Sequence, residues 1–241
     1  MTAPVEVRRA ADRTVTQTPW LTSTHSFSFG DYYDPGNTHH GVLLVHNEDV
    51  VAPDSGYDTH PHRDMEILTW VLAGELSHRD SLGNAGVIYP GLAQRMSAGA
   101  GIEHSERNES SRTPVHFVQM WVLPDRAGGP PGYQQAEVDD ALRGGDLVPI
   151  ASGLPDRPGA ITIGNRNVAL HAARLRPGRA VVLPDARYLH LYVTRGCAKV
   201  ADVGTLEAGD ALRATAAAPG PVTADADAEI LVWEMRAGLG D

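Results

Sequence analysis

Cysteine is nearly missing from this chain of 241 residues, where Cys197 stands alone. A single thiol closes no internal disulfide and supplies no cysteine zinc site, which excludes a disulfide-stapled scaffold. Lysine is equally scarce: Lys199 is the only one among 20 basic residues. No basic run exists, and the formal net charge of −10 sets a field that opposes contact with nucleic-acid phosphates. No apolar stretch approaches the ~18 residues of a membrane span. The opening MTAPVEVRRAADRT has no apolar core of a secretory signal. These absences predict a soluble protein of a reducing compartment, cytoplasmic if bacterial, that binds neither nucleic acid nor membrane.

Glycine and proline are plentiful, at 25 and 17 residues, and they punctuate short apolar runs. HSFSFGDYY (25–33), HHGVLLVHNEDVV (39–51), MEILTWVLAGELSHRDSLGNAGVIYPG (65–91) and VHFVQMWVLP (115–124) read as strands broken by turns. DRAGGPPGYQQ (125–135) is a natural linker, and AEVDDALRGG (136–145) is the one short helix candidate. Strands return in AITIG, VALHAARLRPG, AVVLP, YLHLYVTRG and EILVWEM. Many short strands at this spacing predict an all-β protein, with an antiparallel sandwich or barrel in residues 1–135 and another in 136–241. The halves also echo each other. TWVLAGEL (69–76) lies over LYVTRGCA (191–198), and VIYPGLAQRM (87–96) over TLEAGDALRA (205–214), so Gly74 and Gly91 match Gly196 and Gly209. Tandem duplication is the economical explanation.

THPHRDMEI (59–67) places His60 and His62 two apart, on one face of a strand and about 7 Å apart along the backbone. SAGAGIEHSERN (97–108) does the same with His104 and Glu106. The second pair begins 42 positions after the first ends, enough chain to bring the second strand beside the first. Three neutral nitrogens and one carboxylate suit Fe(II), Mn, Ni, Co or Cu and leave open positions for substrate or oxygen. His25, His116 and His190 read as hydrogen-bonded core residues. His39, His40, His46 and His78 read as solvated residues near turns. Trp70 and Trp121 read as core, and Glu103 and Glu109 as exposed.

HPHRDME resembles the first cupin motif, His-x-His-x3-Glu, and GIEHSERN resembles the second at Gly101, His104 and Asn108. More narrowly, the runs at 60–84 and 96–108, with VHFVQMWVLP, resemble the pirin family of bicupins and its bacterial quercetin 2,3-dioxygenases. The resemblance spans the chain and is specific over 25–135. It implies two jelly-roll-like β-barrels with one mononuclear metal in the first: Fe(II) before Mn, Ni, Co, Cu or Zn. Ordinary cupins take their carboxylate from the position of Glu66, pirins from that of Glu106. We favour His60, His62, His104 and Glu106, leaving Glu66 to hold an imidazole N–H or pair with Arg63. On the overlay His60 and His62 fall on Val182 and Pro184, Glu66 on Tyr188, and His104 and Glu106 near Val222 and Ala224, so the second barrel is expected to hold no metal.

The resemblance implies an oxidoreductase that opens the C-ring of flavonols such as quercetin with dioxygen, releasing a depside and carbon monoxide, with Glu106 as proton acceptor. The imidazoles must be neutral to bind, which predicts weaker metal affinity below about pH 6. The family also implies an alternative role as a metal- or redox-dependent regulator acting through protein partners. Sugar isomerisation at zinc, a further cupin activity, finds no Lys phosphate clamp near the motifs. Two barrels closing on each other within one chain predict a monomer.

Overall fold

The computed structural model describes residues 4–241. Apart from the short helix Asp139–Leu142 and a 3-10 turn at Ala10–Asp12, its regular elements are strands in four sheets. In the first half a seven-stranded sheet runs in the order Gly132–Glu137, Leu92–Ser97, Glu66–Ala73, Val115–Val122, Leu43–Val51, Leu21–His25, Thr14–Gln17. It is faced by a four-stranded sheet ordered Ser55–His62, Ile102–Asn108, Leu76–Asp80, Ala85–Ile88. The second half repeats the plan around Tyr188–Arg195, Ala228–Met235 and Val168–Leu175, with the small sheet Ala180–Val181, Val222–Thr223, Cys197–Val200, Gly204–Glu207. The pairings are antiparallel except that of Val148–Ser152 with Ile161–Thr162. The all-β bicupin expected from the sequence is the fold observed, short helix included.

Glycine marks the repeat. Gly74 and Gly196 leave equivalent strands at φ +77° and +68°, and Gly91 and Gly209 enter the next long strand at +93° and +87°. A side chain at any of these four positions would be strained in that left-handed backbone. The first half also lends a strand to the second. Val5–Arg8 pairs with Ala211–Thr215 and extends the second half's sheet, while Gly132–Glu137 stays in the first and runs across residue 135. Sheet membership therefore crosses the division at residues 135 and 136.

The central strands of the large sheets are buried on both faces, because each sheet has a core on either side there. On Glu66–Ala73, Leu68, Trp70 and Leu72 face outward from the first barrel and pack with Val118, Met120 and Val122 against Leu170, Tyr192, Leu231, Trp233 and Met235 of the second half. The intervening Ile67 and Val71 join the clusters inside the first barrel. Each large indole is tied across the seam: Trp70 Nε1 donates to Glu229 Oε1 at 2.9 Å and Trp233 Nε1 to Met120 Sδ at 3.3 Å. Truncating such a fully buried indole to Ala costs about 3–5 kcal/mol.

The two interiors differ in chemistry. The second barrel is filled with hydrocarbon, from Ala173, Leu189, Leu191 and Val193 to Val222 and Ala224. The first buries Ser23, His25, Asn47, Asp49, Thr69, Gln94, Gln119 and Glu106 at its middle. Burying so many polar groups carries a desolvation cost that a purely structural barrel avoids. That asymmetry points to the first barrel as the site of chemistry.

Candidate metal centre

The second metal-type pair is brought to the first by strand pairing. Ile102–Asn108 lies antiparallel to Ser55–His62 with His104 opposite His60 and Ile102 opposite His62. A bulge between His104 and Glu106 puts Glu106 opposite Tyr57. The even-numbered residues 102–108 are all buried, so His104 and Glu106 point into the barrel together. The imidazole rings converge, with centroids 4.8 Å apart for His60 and His62, 4.5 Å for His60 and His104, and 4.9 Å for His62 and His104. One nitrogen from each of these three lies within 4.8 Å of the others. Glu106 lies in an overlapping cluster with His104 and His78, again within 4.8 Å of one another. His104 belongs to both.

The donor atoms are those a cation requires. His60 Nδ1 is 2.7 Å from the Asp58 carbonyl, so it carries the proton and leaves Nε2 bare. His104 is buried, and its Nε2 has no hydrogen-bond partner among the described residues. A buried imidazole nitrogen without a partner is uncommon enough to require an explanation, and a metal ion supplies one. Burial first, then the neighbouring imidazoles, lower His104 to about 2; burial and His60 lower His62 to about 4. Both lone pairs are therefore free at neutral pH. The residues present fit a mononuclear divalent transition metal.

Glu106 is held from two sides. Gln119 Nε2 donates to Oε2 at 2.6 Å, and Thr69 Oγ1 lies 3.5 Å from Oε1. Burial pushes the carboxyl up to about 7, with Asp49 adding to the rise. Gln119 is itself oriented by Trp121, whose indole N–H donates to Gln119 Oε1 at 3.2 Å.

Glu66 takes a different position from the one expected. It accepts hydrogen bonds from Ser97 Oγ at 2.9 Å and the Gly164 N–H at 3.0 Å, with Arg95 at 3.9 Å. It is neither an imidazole's partner nor Arg63's, which pairs with Asp64 at 3.5 Å. The cause is the turn between the strands: Asp64 adopts φ +51°, and Glu66 begins a new strand on the face it shares with Leu68 and Trp70. Parity counted from His60 and His62 does not survive that turn.

Several histidines also depart from expectation. His46 and His78 are buried rather than solvated, and His40 reaches across to the Leu189 and Ala214 carbonyls. His190 is buried as expected, but neither ring nitrogen has a partner. His25 and His116 are hydrogen-bonded, to Thr16 and Glu48. His78 is the residue that sequence reasoning missed. Its signal was the alternation of LSHRD, which puts His78 on the buried face with Leu76. Trp121 is only partly a core residue: half-buried, it packs on the cluster of Ile67, Met96, Ala98 and Ile102, and its ring also lies near-perpendicular to His62 at 4.9 Å and to Phe29 at 5.7 Å. The centre borders a cavity of about 520 Å³ lined by Pro61, His62, Arg63, Ala100, Gly101 and Glu103 among others.

The second barrel offers no counterpart. Its Val222–Thr223 strand pairs with Ala180–Val181 as Ile102–Asn108 pairs with Ser55–His62, yet Val222 and Ala224 are core and Val182 is solvent-exposed. Among the described residues both possible metal clusters lie in the first half.

Comparison with known proteins agrees with this geometry. The family model described as Pirin matches residues 7–122. A Mycobacterium tuberculosis protein bearing the name "Putative quercetin 2,3-dioxygenase" is 61% identical over 241 residues, covering 100% of this chain and 99% of its own. The Escherichia coli protein named quercetin 2,3-dioxygenase is 45% identical over 144 residues, 60% of this chain and 62% of its own. Among solved structures, the bacterial pirin YhhW of Escherichia coli in complex with nickel(II) superposes with a TM-score of 0.87 at 35% identity, covering 97% of this chain and 99% of that one.

Proposed function

Since the chain belongs to the pirin family, we propose that it is a metal-dependent dioxygenase that opens the C-ring of flavonols such as quercetin. The observation that carries this reading is the facing set His60, His62 and His104, with the bare buried Nε2 of His104, beside a cavity and a buried carboxyl. We assign His60, His62, His104 and Glu106 as the ligands, and one divalent ion as the cofactor. Fe(II) is the first choice, and Ni(II), the ion in the YhhW complex, the next, ahead of Mn, Co, Cu and Zn.

A bound divalent ion supplies Lewis acidity that favours loss of the flavonol 3-hydroxyl proton, together with open positions for substrate and oxygen. The protein supplies the rest. The three imidazoles hold fixed positions on two paired strands, and burial keeps those of His62 and His104 neutral. Glu106 takes the hydroxyl proton at Oε1, the oxygen less tightly held, because Gln119 occupies Oε2. The Trp121 ring gives a flat substrate an aromatic wall beside His62.

We take residues 1–135 as the metal-binding half and 136–241 as the half that supports it, with Val5–Arg8 crossing between them. The shared core between the large sheets supports a monomer, because each half already buries its apolar face against the other. The free Cys197 and the absence, among the described residues, of a helix long and apolar enough to cross a membrane support a cytoplasmic setting. The test is anaerobic loading with Fe(II), Ni, Mn, Co, Cu or Zn, followed by oxygen and quercetin. Loss of the flavonol absorption band with release of carbon monoxide is expected. No turnover with any ion, beside an active control enzyme, refutes the substrate assignment.

A further inference from the structure

His78 is not among the proposed ligands, yet it is buried against one of them. It lies on Leu76–Asp80, which pairs with Ile102–Asn108 so that His78 faces Glu106 and Asp80 faces His104. At the base is Asp80, whose side chain is fully buried. Its Oδ1 accepts the backbone N–H groups of Leu82 and Asn84, each at 3.0 Å, and its Oδ2 accepts Asn84 Nδ2 at 2.9 Å. A carboxylate taking that many donors has no proton to give. His78 Nε2, 3.4 Å from Asp80 Oδ2, must therefore carry the proton between them.

The remaining nitrogen of His78 is then a lone pair. Nδ1 of His78 lies 3.5 Å from Nδ1 of His104 in buried surroundings. Two lone pairs would repel at that distance, so His104 carries its proton on Nδ1. That leaves Nε2 of His104 bare, and this buried Nε2 has no partner among the described residues. The His78 ring is kept in place by stacking on Tyr133, with centroids 4.7 Å apart and planes within 27°. From these contacts we propose that His78, seated on Asp80, is a positioning residue that fixes the tautomer and orientation of His104 and so presents His104 Nε2 to the metal. The proposal rests on the metal centre assigned above and adds to it a carboxylate–imidazole chain behind one ligand, the arrangement that raises ligand basicity at metal sites.

The test reads the tautomer and the affinity separately, on the whole chain. Long-range ¹H–¹⁵N spectra of histidine-labelled, metal-free protein report which ring nitrogen of His104 is protonated. Competition with a chromophoric chelator gives the Zn(II) dissociation constant. The variants are His78→Phe, which removes the acceptor, and His78→Asn, whose Oδ1 replaces Nδ1 as acceptor. Thermal unfolding of each metal-free variant verifies that it is folded. In the unmodified protein His104 should be the Nδ1–H form. In His78→Phe that preference should be lost and Zn(II) binding weakened by about 10- to 100-fold. In His78→Asn both should return to near the original values, a rescue that restored packing alone would not give. An Nε2–H form of His104 in the unmodified protein overturns the proposal and leaves the metal centre standing. So does unchanged Zn(II) affinity in His78→Phe. Failure of His78→Asn to rescue, with less than one ion bound per chain, also overturns it, because His78 is then itself a ligand. If the unmodified protein takes up no Zn(II), Ni(II) or Fe(II), the metal centre falls and this role with it.

Discussion

Metal uptake below neutrality should release a proton from Glu106. The carboxyl is fully enclosed, and burial raises it to about 7 despite the Gln119 and Thr69 hydrogen bonds. An ion that takes Glu106 as a ligand must displace that proton whenever the pH is below that value. The contribution of this one group to the apparent dissociation constant scales as 1 + 10^(7−pH), in which 7 is the Glu106 value. Binding is thus about tenfold weaker at pH 6 and about a hundredfold weaker at pH 5 than at high pH, at about 1.4 kcal/mol per tenfold. His62 and His104 add nothing in this window, because burial already lowers them to about 4 and about 2. The sequence alone expects weakening below about pH 6 from imidazole protonation; the structure adds a carboxyl that must lose a proton and whose effect begins at higher pH. The assay is Zn(II) competition from pH 5 to 8, with proton release followed in weak buffer. Glu106→Gln keeps the shape and removes the titration, so its plot of log Kd against pH should be shallower by one proton between pH 5 and 7. Superimposable slopes for the two proteins would refute the argument.

Other consequences follow from the same contacts. Glu66→Ala should leave one ion bound per chain and lower stability by about 1–3 kcal/mol, because the Ser97 hydroxyl and the Gly164 N–H both lose a charged acceptor; loss of metal with retained stability would reverse our ordering of Glu66 and Glu106. Gly56→Ala places a Cβ 2.3 Å from the Glu106 carbonyl oxygen and 2.6 Å from Arg107 Cα, backbone atoms that cannot yield. The strand carrying His104 must shift, and thermal unfolding and Zn(II) affinity should both fall. Acid should unfold the metal-free protein through its buried, neutral histidines. Burial, with the charge of Arg13, lowers His46 to about 3, so its stabilising effect is complete above the unfolded value of 6.5 and declines as pH falls. At pH 5 the loss is about 2 kcal/mol for this residue. His190, held well below its ordinary value mainly by burial, acts in the same sense. His190→Phe should therefore flatten the plot of stability against pH by one proton between pH 4 and 6.

Two features of the sequence carried the fold and most of the site. Gly and Pro punctuation between short apolar runs specified antiparallel strands, because strand length and turn chemistry are local properties. Two same-face pairs, His60 with His62 and His104 with Glu106, named the candidate donors, because side-chain alternation along one strand is local as well. The twin positions Val222 and Ala224 carry no donor atom, in keeping with both possible metal clusters among the described residues lying in the first half.

Tertiary structure decided what local pattern cannot encode. Glu66 was excluded from the centre by a left-handed turn at Asp64 that restarts the alternation, and strand parity does not extend through a turn. His78 entered the centre's surroundings through pairing between strands distant in sequence, and Trp121 came to lie beside His62 through a contact between residues 59 positions apart. The first strand, Val5–Arg8, completes the sheet of the opposite half, which only the closed chain specifies. The carboxyl of Glu106 acquires its raised proton affinity from burial, a property of the assembled barrel and not of the residue.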